Sequence, residues 1–195
     1  GLRHVGGRAD VPTLARAAGQ SLETAARAAR YDFLAEVARA AGAAAVVVGH
    51  NADDQAETIL MHLLRGAGAA GLRGMALAAP LPGHADLWLL RPLLGIDRAA
   101  IEAYVRDAGL EPVADPSNRD PAFTRNRLRH ELLPALSAHA PHVTQRLREA
   151  GHILAAEDDL LSALEDDAWQ AVARPASAGV ALGRAAWREQ PLALR

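Results

Sequence analysis

The richest group of chemically capable side chains lies between Gly49 and Thr58, in the run Gly-His-Asn-Ala-Asp-Asp-Gln-Ala-Glu-Thr. This run follows a continuous apolar stretch over residues 43–48 and precedes a helical pattern. We therefore expect it to lie where a buried strand ends and a helix begins. In open α/β sheets, that carboxyl edge of the strands is where ligands bind. The run is the first candidate for a ligand site.

Two carboxylates in this run are spaced to act together. Asp54 and Glu57 are three residues apart, so they share one face of the predicted helix, near its start, where the helix dipole favours ionised carboxylates. Converging carboxylates suit a cation, either an ammonium group or Mg²⁺. His50, at the strand tip, can donate to a phosphate or transfer a proton. The alternative is helix capping by Asn51, Asp53 and Asp54, although one such residue suffices for a cap.

Arginine appears in three further segments. In Ser21–Tyr31, Arg27 and Arg30 share a helix face, with a solvated helix surface as the alternative. The stretch from Arg65 to Met75 contains four glycines and two arginines, which could cradle an anion, but a glycine-rich helix exit is the more common explanation.

The third arginine segment runs from Thr124 to His130. Arg125 and Arg129 are four residues apart and project together, and with Asn126 they offer guanidinium forks and an amide to phosphates or base edges. A solvated charged helix is the alternative. This segment belongs to a basic region, because residues 119–148 carry six arginines and two acids, whereas residues 149–167 carry seven acids and no arginine. Such asymmetry favours an anionic partner for the basic face.

Composition narrows the protein class. The 195 residues have a net charge of −2, are 50% hydrophobic and contain no cysteine. They can bury a core, but they supply no disulfide, thiolate metal site or cysteine nucleophile. His50 and His62 lack metal-ligand spacing, so we predict no metal site. With no apolar run near the length of a membrane span and no secretory signal, we expect a soluble, cytoplasmic protein with no membrane partner.

The predicted elements form an α/β layer followed by an all-helical segment. The fold class expected is α/β, with a partial Rossmann-like parallel sheet. We expect three parts: a partial nucleotide-binding domain over 1–118, a helical extension over 119–173, and a linker with the start of another domain over 174–195. The elements predicted are strands at 9–12, 43–48 and 87–90, helices at 21–42, 52–65 and 97–108, helices from about 121 to 172 broken at Pro134 and Pro141, and a linker over 174–183.

Taken in order, these segments resemble the tRNA(Ile)-lysidine synthetase family of the PP-loop (N-type) ATP pyrophosphatases. The resemblance covers roughly residues 1–150, and its motifs occur in the family's order. The matching residues are Ser21, Glu23, Ala26-Arg27 and Arg30-Tyr31; Gly49–Thr58; Arg65-Gly66, Gly68 and Gly71-Leu72; Arg91–Leu94; Asp115–Asn118; and Arg125–Arg129.

This resemblance implies a two-step ligation. ATP, as its Mg²⁺ complex, would adenylylate C2 of the wobble cytidine in the CAU anticodon of tRNA(Ile), and the ε-amine of free L-lysine would displace AMP to leave lysidine. It implies that Asp54 and Glu57 bind the lysine ammonium, that Asp54 and His50 take part in catalysis, and that His50 and Arg27 face the nucleotide. Arg125, Asn126 and Arg129 would position the tRNA. A homodimer is an open alternative.

One departure from the family pattern matters. The family's S-G-G-x-D-S loop, which grips the ATP phosphates, does not occur in these residues, and the chain starts at Gly1 rather than Met. We therefore expect the 195 residues to be an internal piece of a synthetase and not to form lysidine in isolation. The other functions considered are a non-catalytic tRNA-binding remnant, another PP-loop RNA-modifying enzyme such as a thiolase, and an amide-forming synthetase of the same group.

Overall fold

The computed structural model describes residues 3–113, 115, 120, 123–191 and 194. Within it the chain divides into two compact units. The first comprises Gly1–Asp54 and Ala76–Glu111, and the second comprises Gln55–Met75 and Pro112–Arg195. The predicted boundary at 118/119 lies outside the described residues, and the three-part division stays a prediction.

The first unit contains a three-stranded sheet with helices around it. Strand β3 is central, pairing in parallel with β1 and antiparallel with β2. The α/β class is thus confirmed, with an antiparallel edge strand added to the expected parallel pair. Its elements are α1 (Val11–Ala18), α2 (Leu22–Ala40), β1 (Ala45–Val47), the start of α3 (Ala52–Leu64), β2 (Ala78–Leu81), β3 (His84–Leu90) and α5 (Arg98–Asp107).

Helix α2 packs on this sheet through small side chains. Ala35 and Ala38 are buried together with Tyr31 against Val46 and Leu89 of the two parallel strands. Alanines on the inner face let the helix approach the strands closely, because they carry little volume. The helix starts at Ser21, whose hydroxyl accepts a hydrogen bond from the Thr24 N–H at 3.2 Å, as the sequence predicted.

Two local predictions in this unit were wrong or incomplete. Residues 9–12 do not form a strand, because Asp10 caps α1 by accepting from the Thr13 N–H, and Pro12 sits in the first helical turn, which needs no N–H there. Strand β2 was not predicted. Its Ala-Ala-Pro-Leu sequence has little intrinsic strand preference, and pairing with β3 supplies the missing stabilisation. Pro80 is tolerated because β2 is an edge strand.

The second unit is mainly helical. The rest of α3 packs its Leu60 against Leu128 and Leu133 in a common apolar cluster. A five-residue π-helical turn joins α6 to α7, and Pro134 lies in the first turn of α7, so the predicted break at Pro134 does not occur. The elements are α4 (Ala69–Leu72), α6 (Thr124–Arg127), the π turn (Leu128–Leu132), α7 (Leu133–His139), α8 (Val143–Val172), β4 (Ala173–Ala176), β5 (Gly179–Leu182) and α9 (Arg184–Glu189).

The end of the chain differs from its prediction as a linker. Strands β4 and β5 form an antiparallel hairpin, in which Ala173 is paired with Leu182. The proline, serine and glycine content that suggested a linker instead supplies the tight turn, where Gly179 has a φ of 133°. Among the helices that the structure describes, none is long and apolar enough to cross a membrane.

Helix α8 approaches α3 and α4 closely at Gly151. A β-carbon at this position would lie 2.6 Å from Ile59 Cδ1 and 3.4 Å from the Leu72 carbonyl oxygen. Ile59 is itself buried, so it has little room to move. The contact fixes where α8 crosses its neighbours, because only glycine fits without displacing them.

We predict that Gly151→Val lowers the free energy of unfolding by about 1–3 kcal/mol, because the branched side chain overpacks this crossing. Ala150→Val, at an exposed position of the same helix, is the matched control and carries only the smaller helix-propensity cost. Urea denaturation of both variants measures the difference. Equal losses would show that α8 does not pack closely at residue 151.

Candidate functional site

The carboxyl ends of two parallel strands meet at one edge of the first unit's sheet. The Val48 N–H donates to the Leu90 carbonyl at 3.0 Å, so the chain leaves β1 and β3 side by side. Gly49 and His50 follow β1, and Arg91 follows β3 directly. The predicted carboxyl edge of parallel strands is therefore present, and it carries His50 together with an arginine to which the sequence had assigned no role; its use by a ligand stays a prediction.

The start of α3 is a reciprocal cap. The Asn51 side-chain oxygen accepts from the Asp54 N–H at 3.0 Å, and Asp54 Oδ2 accepts from the Asn51 N–H at 2.9 Å. This is the capping-box arrangement, in which the residue three positions into the helix reaches back to the cap. Asp54 Oδ1 lies 3.9 Å from the Arg98 guanidinium. Capping thus uses one Asp54 oxygen and leaves the other directed toward positive charge.

Asp53 ties this helix start to the next one in the first unit. Its Oδ2 accepts from the Arg98 N–H at 2.8 Å, which caps α5 from outside, since Asp97 makes no side-chain cap bond. The Ala52 N–H donates to the Ile96 carbonyl at 3.0 Å. Capping of α3 therefore accounts for Asn51 and for one oxygen of Asp54, whereas Asp53 caps α5 instead.

In the second unit, Glu57 is at the centre of a buried charge cluster. Its side chain is 2% exposed. Arg125 Nε donates to Oε2 at 2.8 Å, and Arg129 donates from Nε to Oε1 at 2.6 Å and from Nη2 to Oε2 at 2.9 Å. One carboxylate thus faces two guanidinium groups, one of them in a bidentate fork.

This cluster joins two predicted groups that the sequence had kept apart. Glu57 was predicted to bind lysine, and Arg125 and Arg129 to bind tRNA. The four-residue spacing of Arg125 and Arg129 correctly indicated that these two side chains project together. Asn126 lies between them, and its side-chain amide donates to the Asp120 carbonyl at 2.8 Å. The structure therefore describes all four of these predicted residues: Glu57, Arg125, Asn126 and Arg129.

The glycine-rich stretch is held by structural contacts. Gln55 Nε2 donates to the Met75 carbonyl at 3.0 Å, and its Oε1 accepts from the Met75 N–H at 2.8 Å. Gly74 has a φ of 74° and leaves room only for the Gln55 amide. Arg73 pairs with Asp158 at 2.7 Å and Asp159 at 2.8 Å, and hydrogen bonding to Asp158 raises its pKa. These contacts favour the structural explanation of the stretch over an anion cradle.

Arg27 lies on α2 with its guanidinium carbon 5.4 Å from the centre of the Tyr31 ring. The residue is exposed, whereas Tyr31 is buried in the core of the first unit. Within the described residues, no group of three or more histidines, cysteines or acids could hold a metal ion. The Pro116–Asn118 part of another matched motif lies outside the described residues.

A sequence profile of the PP-loop domain matches residues 7–136. The chain belongs to the PP-loop domain family. This match includes the sheet edge, the capped start of α3 and the buried Glu57 cluster.

Curated relatives of this PP-loop chain share one name, and the resemblance found in the sequence is confirmed. The tRNA(Ile)-lysidine synthase of Geobacillus kaustophilus is 39% identical over 186 residues, which is 95% of this chain and 39% of that protein. That of Novosphingobium aromaticivorans is 49% identical over 136 residues, covering 66% and 42%. That of Gloeobacter violaceus is 46% identical over 151 residues, covering 77% and 46%. The chain spans less than half the length of these relatives.

A solved structure shares the fold. The U34-tRNA thiolase NcsA from Methanococcus maripaludis, solved with its [4Fe-4S] cluster, aligns with a TM-score of 0.50 over 65% of this chain and 41% of its own. The two sequences are 17% identical. At that identity the likeness concerns the PP-loop fold alone.

We predict that Glu57→Gln lowers the free energy of unfolding by about 1–3 kcal/mol, because it leaves two guanidinium groups without their shared counter-charge. The loss is below that of a fully buried pair, since the arginine side chains are 32% and 23% exposed. Asp86→Asn is the control, because its ion pair with Arg39 is exposed on both sides. Denaturation of both variants measures the difference. A Glu57→Gln loss no larger than that of Asp86→Asn would contradict the prediction.

Proposed function

We propose that the protein ligates lysine to C2 of the wobble cytidine in the CAU anticodon of tRNA(Ile). The cytidine C2 oxygen attacks the α-phosphorus of ATP and releases pyrophosphate. The lysine ε-amine, after losing a proton, attacks C2, forms the C–N bond and expels AMP. The enzyme contributes to catalysis by positioning the substrates and by stabilising charge at the two reacting centres.

The observation that carries this proposal is the contact of Glu57 with Arg125 and Arg129. Glu57 and the two arginines come from separate motifs of the resemblance. Arg125 and Arg129 lie 68 and 72 residues after Glu57 in the chain. An enzyme joining an amine to RNA needs an anionic group for the ammonium and cationic groups for the RNA. Here both kinds of group meet within hydrogen-bond distance.

The remaining predicted residues keep their roles within this proposal. His50, beside the strand ends, lies at the adenylylation site and takes part in catalysis, and Arg27 faces the nucleotide. Asp54 and Glu57 bind the lysine ammonium, and Asn126 helps the two arginines to hold the tRNA. ATP enters as its Mg²⁺ complex, as a substrate. A tRNA substrate also implies a cytoplasmic enzyme, and the homodimer stays a prediction that sedimentation would test.

The occupied state of Glu57 adds a consequence. Both of its oxygens accept hydrogen bonds from arginine, so an ammonium group must displace at least one guanidinium to bind there. RNA phosphates attract the same guanidinium groups, because arginine forms bidentate bonds with phosphate as with carboxylate. Binding of tRNA would therefore free Glu57 for lysine, which couples the two substrates.

The proposal predicts lysine-, ATP- and tRNA(Ile)-dependent formation of lysidine by the native full-length protein. Asp54→Asn should raise the KM for lysine at least tenfold, because it removes a negative charge while an amide oxygen can still accept the Asn51 N–H. Asp53→Asn is the matched control on the same helix end and should leave that KM within about twofold. The assay is release of AMP against lysine concentration. An unchanged lysine dependence in Asp54→Asn would remove Asp54 from the lysine site.

Arg125→Ala should weaken tRNA(Ile) binding by about tenfold and reduce its salt dependence, because a phosphate contact is lost. The exposed Arg106→Ala, in α5, is the control for removing one positive charge. Filter binding at several salt concentrations gives both quantities. Unaltered affinity and salt slope would exclude Arg125 from the RNA interface. If the full-length protein binds tRNA(Ile) but forms no lysidine under any condition, that result would favour a non-catalytic tRNA-binding protein.

A further inference from the structure

Arginine, and never lysine, faces the two carboxylates proposed to bind the substrate ammonium. Glu57 accepts from Arg125 Nε at 2.8 Å, from Arg129 Nε at 2.6 Å and from Arg129 Nη2 at 2.9 Å. In the first unit, Arg98 Nη2 lies 3.9 Å from Asp54 Oδ1. The 195 residues contain 21 arginines and no lysine. Each of these carboxylates therefore faces a guanidinium group of the chain itself.

Electrostatics alone does not require arginine at these positions. A lysine ammonium also pairs with carboxylates and with phosphates, as a point charge. The two side chains differ in reactivity, because arginine stays protonated in proteins, whereas a lysine that loses its proton becomes an amine nucleophile. Partial burial promotes that loss, and the Arg125 and Arg129 side chains are partly buried beside the enclosed Glu57.

The reaction proposed above makes this difference important, and the inference rests on that proposed function. A lysine of the chain paired with Glu57 would hold its ε-amine where the ε-amine of the substrate is proposed to bind. After losing a proton, its nitrogen would form a bond to C2 of the adenylylated cytidine. The bond between C2 and oxygen would break, and AMP would leave with that oxygen. The protein would then be joined covalently to the tRNA.

We propose that Arg125 and Arg129 determine specificity by keeping the ammonium site positively charged without placing a nucleophile of the chain in it. Their guanidinium groups occupy Glu57 and leave the activated cytidine intact, because guanidinium does not attack it. Ligation is thereby restricted to a primary amine that diffuses in from solution, and the protein is protected from attaching itself to its own activated RNA.

Arg125→Lys in the full-length protein is the main test, because one ammonium bond can replace the single bond from Arg125 Nε to Glu57. With ATP and tRNA(Ile) but no free lysine, we expect a covalent protein–tRNA product. A denaturing gel detects it, and mass spectrometry after nuclease digestion places a cytidine on residue 125. Free lysine should suppress this product at least tenfold, because both amines use one site. Arg106→Lys, at an exposed position of α5, is the control and should form no product at residue 106.

Arg129→Lys is the second variant, and a covalent product at residue 129 would support the proposal equally. Transfer of radiolabelled AMP from ATP to tRNA is measured separately for each protein. If both variants adenylylate tRNA and neither becomes joined to it, the proposal is overturned. If neither variant adenylylates tRNA, arginine is required there for its geometry and not for its lack of reactivity, which also overturns the proposal. A wild-type protein that forms neither adenylylated tRNA nor lysidine would instead show that the proposed function has failed.

Discussion

The second unit depends on one buried carboxylate. Glu57 is almost fully enclosed and receives three hydrogen bonds from two arginines that lie far away in sequence. Enclosing a carboxylate is favourable only when such partners are present, so the chain beyond Phe123 must return to α3 with Arg125 and Arg129 in place. The apolar cluster of Leu60, Leu128 and Leu133 packs α3 against the π turn and α7 in the same unit. Arg129 lies in the π turn, where the backbone departs locally from α-helical geometry. Such turns are frequent at functional sites.

Local chemistry explains what could be predicted from sequence. The apolar run before Gly49 predicted β1, Ser21 predicted the start of α2, and the polar run from Asn51 to Asp54 predicted the start of α3. Each of these depends on residues within one turn or one strand. The strand β2 could not be predicted in the same way, because its Ala-Ala-Pro-Leu sequence becomes a strand only through pairing with β3. The hairpin after α8 was missed because turn-forming residues resemble a linker when the pairing of the flanking residues is unknown.

In the candidate site, too, local spacing could be predicted from the sequence and long-range pairing could not. Sequence spacing identified Asp54, Glu57, Arg125 and Arg129 as chemically capable side chains, and it indicated which of them share a helix face. It could not show that Glu57 and the arginines satisfy one another, because that pairing depends on the return of the chain over about 70 residues. In the sequence, Arg91 was recognisable only as part of a motif. The available signal was its place between Leu90 and Pro92, directly after an apolar run, where an arginine has no acidic neighbour in sequence to compensate it.

Charge balance links the two groups of arginines. Around Glu57, two guanidinium groups share one carboxylate, whereas Arg91, beside Tyr31, has no carboxylate partner among the described residues. Arg73 shows the contrasting case, because two acids of α8 satisfy it and no positive charge is left for a ligand. Uncompensated positive charge is costly to fold, so its presence at the sheet edge and around Glu57 favours anionic ligands that complete each balance. A nucleotide and an RNA backbone are both polyanions, and a cationic amine would compete with arginine for Glu57 alone. The competition for Glu57 is therefore one between a bound cation and the chain's own arginines, and it is decided by what binds those arginines.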